Sequence, residues 1–231
     1  MNFNRKKLSI VLPAYNEANN LKELLPEIFS NLSNINFEVI VVDTIEDLDN
    51  TQEICDESGA LYVKRKLSNS FGEAVRTGIK ETTGDVVIFM DADGSHEPKF
   101  ILSLLDYIDD YDVVIASRYI KDGYSDNSFL LRFMSKILNF TYAFILDIPC
   151  KDVSNSFKAY RAEDLKKLDL YCENFDIVEE ILYKICKSKM EIRIKEIPST
   201  FQKRLYGKTK RNLFYFILTY LITIIKLRLS K

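Results

Sequence analysis

The chain has 231 residues, 47% hydrophobic and 29% charged, a balance that fits a folded globular protein of one large or two small domains and excludes extensive disorder. The net charge of −2 hides an asymmetry: eight Lys and Arg between residues 197 and 231 meet no acid there, which leaves −10 on residues 1–196. An acidic body with a basic tail directs the tail toward something anionic, and no nucleic-acid partner is expected.

The N-terminus enters a strand pattern at once. Apolar, β-branched runs then alternate with helical patterns: "LSIVL" (8–12), the amphipathic "EANNLKELLPEIFSNL", "FEVIVVD" (37–43), "ALYVK" (60–64), "DVVIFMD" (85–91) and "DVVIAS" (112–117). This is a βαβ series, and it predicts an α/β fold with a mostly parallel central sheet flanked by helices. The run "DVVIFM" is continuously apolar, as a central strand covered on both faces should be. Pro98 suits the first turn of the helix that follows.

After residue 118 the pattern changes to a long apolar helix at 128–147, a short segment "VSNSFKAYR", a helix near 174–189, a strand "EIRIKEIPSTF" and a final apolar helix. With no repeat and no low-complexity linker, one domain over 1–212 and a C-terminal apolar helix over 213–231 are expected. Thirteen uncharged residues, "LFYFILTYLITII", lie in that helix with basic residues on both flanks. Thirteen is short of the roughly 20 needed to cross a bilayer, so a helix lying in the headgroup region is predicted, with a core helix or a dimer contact as alternatives. The four cysteines, Cys55, Cys150, Cys172 and Cys186, form no C-x-x-C pair and read as reduced core thiols in a cytosolic setting. One histidine, His96, removes a zinc site of the usual kind and reads as a structural or turn residue.

In open α/β sheets, ligands bind beyond the carboxyl ends of the strands. The predicted strands end in "PAYNE" (13–17), in Asp43, in Asp91-Ala92-Asp93 and in Ser117-Arg118, so four of them deliver polar groups to one edge. On a strand, Asp91 and Asp93 would share a face and repel each other unless a cation sat between them. A hard divalent ion fits, because Mg²⁺ takes one or two carboxylates together with substrate phosphates. The dipeptide Asp93-Gly94 suits a solvated turn equally well.

"IVLPAYNEANNL", "VVD", "RTGIKETTGDVVIFMDADGSHEP", "DVVIASRY", "KDVSNSFKAYR" and "FQKRLYGKTK" resemble, in this order, the motifs of family 2 glycosyltransferases, and most of all the polyprenol-phosphate (dolichol-phosphate) mannosyltransferase group. The resemblance covers residues 7–212. It implies a GT-A fold, a nucleotide-sugar donor such as a GDP- or UDP-hexose, Mg²⁺ or Mn²⁺, and inversion at the anomeric carbon. It further implies that Pro13, Ala14, Tyr15 and Glu17 form a nucleotide-binding loop and that Asp43 approaches the nucleoside. By the same likeness Asp91, Asp93 and Ser95 hold the metal beside Ala92, and Arg118, Arg204 and Lys210 contact phosphates. Arg132 and Ser135 resemble an acceptor-phosphate region, although Arg132 and Lys136 also suit the wet face of a helix. Glu180 matches a family glutamate or a structural ion pair, and Asn16 or Glu17 could simply cap a helix.

The chain departs from the family after its second strand, where "DTIEDLDNT" replaces the common D-D-G-S-x-D-G-T, and at "SNSF" (154–157), which lacks the usual glycine before Phe157. The expected reaction transfers a hexose, mannose or glucose, to polyprenyl phosphate at the cytoplasmic face of a membrane. A phosphate monoester has a second pKa of about 6 and needs no general base, whereas a sugar hydroxyl would need a carboxylate such as Asp152 or Glu180. Transfer to a glycan hydroxyl and a non-catalytic nucleotide-sugar binding module are the alternatives. A nucleotidyltransferase would need a Gly-rich basic loop after strand one, which "PAYNE" lacks.

Overall fold

The structure, a computed structural model, describes residues 6–207 and 213–229. Its first half is the predicted series: β1 (Leu8–Pro13), α1 (Ala18–Asn31), β2 (Phe37–Asp43), α2 (Thr51–Ser58), β3 (Leu61–Lys64), α3 (Phe71–Glu81), β4 (Val86–Phe89), α4 (Phe100–Leu105) and β5 (Val113–Ser117). The second half runs β6 (Tyr124–Ser125), α5 (Phe129–Leu146), β7 (Lys158–Arg161), α6 (Ala162–Leu165), α7 (Ile177–Ser188), β8 (Ile194–Pro198), β9 (Thr200–Phe201) and α8 (Leu213–Leu229).

Seven strands form one sheet in the order β3-β2-β1-β4-β7-β5-β8, parallel except for β7. Strand alternation covers both faces. Leu8, Ile10 and Leu12 of β1 join Val86 and Ile88 of β4 in one core, while Val11, Val87 and Phe89 join α3, α5 and α7 in the other. A strand that is apolar on both faces can only be central, which is why these runs lack a polar face.

β7 places the site, although its pattern "KAYR" gives no strand signal. It is antiparallel to both neighbours, with Lys158 opposite Phe89 on β4 and Ile115 on β5. Its N-terminal end therefore lies where β4 and β5 end, and residues 152–157 arrive at the same sheet edge as Asp91 and Arg118. The predicted strand "EIRIKEIPSTF" divides at Ser199, whose N–H donates to Ser117 O (3.0 Å), and β9 pairs with β6 in a separate two-stranded ribbon.

The long helix matches its predicted span. Ser128 caps its first turn by accepting from Leu131 N–H, and Asp147 closes it in the left-handed conformation. α8 lies against α5 and the second core: Tyr220, Ile224 and Leu227 are buried there, Tyr142 donates to Tyr220 O (2.9 Å), and Thr223 donates to Asp176. All four cysteines are free thiols, three of them buried.

Candidate active site

β1 and β4 are neighbours from which the chain departs in opposite directions, so the crevice beyond their carboxyl ends is a switch point, the usual ligand position in such sheets. β4 stops at Phe89, two residues short of the sequence expectation. Asp91 and Asp93 therefore lie on a turn and not on one face of a strand. Asp93 Oδ1 accepts the N–H of Ser95 (3.0 Å), and Gly94 takes a φ of +77°, a conformation that glycine adopts freely. Leu205 packs where a Gly94 Cβ would stand.

His96 ties this turn to its surroundings, in agreement with its structural reading. Its Nδ1 accepts from Asp91 N–H (3.2 Å), so Nε2 carries the proton and faces Asn155 Oδ1 (3.1 Å). Asn155 in turn donates to Ala116 O at the end of β5, and the imidazole stacks on Phe157. Complete burial pushes the His96 pKa down, which keeps the ring neutral and Nδ1 available as an acceptor.

Asp91 and Asp93 are both half-buried, and no ion pair among the described residues engages either one. Asp91 Oδ1 accepts from the Ser156 hydroxyl (2.8 Å). Ser95 is buried, and its Oγ has no hydrogen-bond partner among the described residues. Two carboxylates and an unpartnered hydroxyl are hard oxygen donors that suit Mg²⁺ or Mn²⁺. Among the described residues no group of three or more His, Cys, Asp or Glu converges, so phosphate or water oxygens would complete such a shell.

The first loop, Pro13–Glu17, faces the turn across the crevice. Ala14 N–H donates to Val42 O (2.9 Å), and Asn16 turns the chain at a φ of 54° before α1. Tyr15 is exposed, and Glu17 pairs with Arg204 (2.7 Å) and accepts from Asn20. Asp43, at the end of β2, is buried and accepts weakly from the Tyr62 hydroxyl (3.3 Å); burial pushes its carboxyl above the usual range. Sequence reasoning missed Arg65. This buried guanidinium donates to Ala14 O and to Asn69 O (2.7 Å), and so joins the first loop to the segment after β3. The altered segment after β2 is anchored by Asp49, which accepts Ala18 N–H (2.9 Å) at the start of α1 and Thr51 N–H (3.0 Å) at the start of α2.

Residues 202–206 strap the two loops together. Gln202 N–H donates to Ser95 O (2.9 Å), Leu205 N–H to Asp93 O (3.0 Å) and Tyr206 N–H to Asn20 Oδ1 (2.9 Å). Arg204 is thus held by Glu17 on the first-loop side. Lys210 lies outside the described residues.

Arg118 reaches the edge from β5, but the sequence could not show its partner. Its Nε and Nη2 form a side-on pair with Asp152 (2.8 and 2.6 Å), and Nη2 also donates to Ser154 Oγ (3.0 Å). Among the described residues Nη1 has no hydrogen bond. Asp152 is fully buried and spent on this pair; burial opposes its ionisation, yet the Arg118 charge and hydrogen bonds hold the carboxyl below its usual range. Glu180 is equally occupied: it accepts from Tyr171 N–H (3.1 Å) and Cys172 N–H (2.8 Å) and pairs with Lys184 (2.7 Å), the structural alternative of its two readings.

Arg132 and Ser135 sit on α5. Arg132 covers the Tyr124 ring (5.4 Å), Lys136 covers Tyr119 (5.9 Å), and Arg118 lies over both Tyr119 (5.0 Å) and Phe201 (5.6 Å). The structure therefore brings Lys136 to the same Tyr119 ring as Arg118, with Arg132 one turn earlier on α5 over Tyr124 and Ser135 joined to Arg118 through Asn139 and Ser154. Beyond these rings α5 exposes Phe129, Leu130, Phe133, Ile137, Phe140 and Phe144.

Comparison with known proteins bears on the family and the fold. The chain is 36% identical over 214 residues to a dolichol-phosphate mannosyltransferase of Pyrococcus furiosus, which covers 88% of this chain but 59% of that protein. It is 29% identical over 219 residues to the polyprenol monophosphomannose synthase of Mycolicibacterium smegmatis, across 87% of this chain and 79% of that one. Among solved structures, glucosyl-3-phosphoglycerate synthase from Mycobacterium tuberculosis, in complex with Mn²⁺, uridine diphosphate and phosphoglyceric acid, superposes with a TM-score of 0.75 at 18% identity, covering 98% of this chain and 80% of that one. The same enzyme with Mg²⁺ and uridine diphosphate gives a TM-score of 0.73 at 19% identity, covering 96% and 79%. At such identities the likeness establishes the GT-A-like fold. The model of glycosyl transferase family 2 matches residues 9–169, and the chain belongs to that family.

Proposed function

We propose that the chain is an inverting, metal-dependent hexosyltransferase that moves mannose or glucose from a GDP- or UDP-hexose to polyprenyl phosphate at the cytoplasmic face of a membrane. The observation that carries this reading is that the Asp91–Ser95 turn and Arg118 meet around His96 and Phe201, with Lys136 on the Tyr119 ring that Arg118 also covers and Arg132 one turn earlier on the exposed apolar helix. The names of the Pyrococcus and Mycolicibacterium relatives support a lipid-phosphate acceptor. The uridine diphosphate and Mn²⁺ of the Mycobacterium structure support a nucleoside-diphosphate donor and a divalent ion.

In this reading Pro13, Ala14, Tyr15, Glu17 and Asp43 receive the nucleoside side of the donor, and Ala92 lines its diphosphate. Asp91, Asp93 and Ser95 Oγ would hold Mg²⁺ or Mn²⁺, which supplies positive charge to the diphosphate as it leaves. An oxygen of the acceptor phosphate attacks the anomeric carbon from the face opposite the diphosphate. The bond from that carbon to the diphosphate oxygen breaks, and its electron pair departs with the nucleoside diphosphate. Arg204, and Lys210 from outside the described residues, add fixed cations for that leaving charge, which preorganised groups stabilise better than water does.

The engaged carboxylates favour phosphate over hydroxyl as the nucleophile. Asp152 is committed to Arg118, and Glu180 to two N–H groups and Lys184, so neither is available as a general base. A phosphate monoester, largely dianionic above its second pKa of about 6, needs none.

The exposed faces of α5 and α8 support the membrane side of this reading. α5 is long and apolar enough to cross a bilayer by length and composition, yet it carries Arg132 and Lys136 and is bound to the body through Asn139 and Tyr142. α8 exposes Leu221, Ile222, Ile225 and Leu229 and ends in Lys226 and Arg228. Apolar faces with basic residues favour helices lying in the headgroup region of anionic lipid.

Incubation with radiolabelled GDP- and UDP-hexoses and polyprenyl phosphate tests the reading. An acid-labile lipid-linked monosaccharide is expected. A label recovered only in a glycan or as free sugar would refute it.

A further inference from the structure

Of the eighteen residues of α5, three are buried: Asn139, Tyr142 and Leu146. Tyr142 reaches α8, and Leu146 packs in the second core. Asn139 is the polar member, only 1% exposed, on a helix whose neighbours Phe140 and Phe144 are open to solvent. An amide buried beside an apolar face costs free energy unless its hydrogen bonds are made, and buried amides at helix interfaces serve to fix register.

Those bonds run to Ser154, beside Arg118, and back to Ser135 on the same helix. Asn139 Oδ1 accepts Ser154 N–H (2.8 Å), and Nδ2 donates to Ser154 Oγ (2.9 Å) and to Ser135 O (2.8 Å). Ser154 Oγ also receives Arg118 Nη2 (3.0 Å). Arg132, Ser135 and Lys136 precede Asn139 by seven, four and three residues, the spacing that places them along one side of a helix. Lys136 and Arg118 share the Tyr119 ring, and Arg132, four residues before Lys136 on α5, covers Tyr124.

We propose that Asn139 is a positioning residue that fixes the register of α5 against Arg118, so that Arg118, Arg132 and Lys136 meet one acceptor phosphate. Arg118 comes from β5 and the other two cations from α5. The two elements are joined at Ser154 through a hydroxyl and an N–H that Asn139 alone engages from the helix. A slip or tilt of α5 by part of a turn would carry Arg132 and Lys136 away from Arg118 without touching the donor loops. The inference rests on the polyprenyl-phosphate reading above and deepens it by naming the residue that registers a lipid-facing helix with the phosphate site.

Steady-state kinetics of full-length Asn139→Leu and Ser154→Ala, with polyprenyl phosphate varied against saturating donor, test it. Leucine shares the γ-branched shape of asparagine without its hydrogen-bonding groups and favours the helix more strongly, and alanine at 154 cuts the same link from the other side. Both variants should raise the acceptor KM about tenfold, the order expected for a lost buried hydrogen bond, with kcat and the Kd for nucleoside diphosphate within twofold of wild type. The double variant should be no worse than the poorer single one, because both break one connection. An unchanged acceptor KM in both variants, or equal losses in kcat and nucleotide binding, overturns the inference while the functional reading stands. Wild-type protein that transfers no sugar to polyprenyl phosphate overturns both.

Discussion

Arg118 and Asp152 form a side-on pair in which Nε and Nη2 each donate to one carboxylate oxygen, and the Arg118 backbone N–H donates to Oδ2 as well (2.8 Å). Asp152 is inaccessible to solvent, so replacing its charge leaves the mostly buried Arg118 guanidinium without its counter-ion. Asp152→Asn should destabilise the protein by about 3 kcal/mol in urea denaturation at pH 7, the usual scale for breaking one side of a buried pair. The folded Asp152 carboxyl has a depressed pKa, so its contribution is present above the ordinary carboxylate pKa and disappears as pH falls through the folded value. The difference between wild type and variant should therefore shrink as pH is lowered below about 4. A constant difference down to acid unfolding would refute this assignment.

Asp93 tests the metal reading without turnover. Its Oδ1 also accepts Ser95 N–H, so Asp93→Asn retains an acceptor for the turn while it removes the charge. Calorimetric titration of nucleoside diphosphate into wild-type protein should give tighter binding with Mn²⁺ than with chelator. In the variant the gain should fall at least tenfold, since a carboxylate is the stronger ligand for a hard cation. An undiminished Mn²⁺ effect in Asp93→Asn would place the ion elsewhere.

Glu179 on α7 is fully buried, and burial pushes its carboxyl up to about 8 against the pull of the Lys158 charge. A pKa raised above its unfolded value gives stability that is full below about pH 4.5 and is lost as pH rises toward about 8. Glu179→Gln removes this proton linkage. Urea midpoints measured between pH 5 and 8 should decline for wild type relative to the variant, by at most about 1.4 kcal/mol per pH unit for one proton. Parallel pH profiles would mean that Glu179 is ionised in the fold.

What the sequence reveals depends on how local each feature is. β1, β2 and β5 are legible to within a residue because strands buried on both faces must be continuously apolar. β7 is not, because its four residues begin with Lys158, whose buried ammonium donates to Val153 O (2.9 Å) and Asn155 O. Its strand character comes wholly from pairing with β4 and β5. The same division runs through the site. Asp91, Asp93 and Asp43 stand at strand ends and can be located by position alone. The partner of Arg118 lies 34 residues away, and nothing in the local pattern around Asp152 or Asn139 announces that contact. Arg65 was missed for the same reason: it follows β3 as one basic residue among three in "VKRK", and only the fold carries it under Ala14.

The outward face of α5 gives the last prediction. Phe140 and Phe144 are 71% and 77% exposed, and their rings stack one turn apart (6.0 Å), away from Asn139 and the second core. Exposed aromatic side chains contribute nothing to the core, so Phe140→Ser with Phe144→Ser should leave the urea midpoint nearly unchanged. In lipid each ring would transfer apolar area at about 25 cal/mol per Å². Losing both should weaken binding to phosphatidylglycerol-containing vesicles by tenfold or more in a flotation assay. Because the basic residues Arg132 and Lys136 remain, the residual binding should weaken further as salt is raised, through screening. Transfer to a short-chain, water-soluble polyprenyl phosphate analogue should continue at the wild-type rate. Unaltered vesicle binding in the double variant would show that α5 does not carry the contact with lipid.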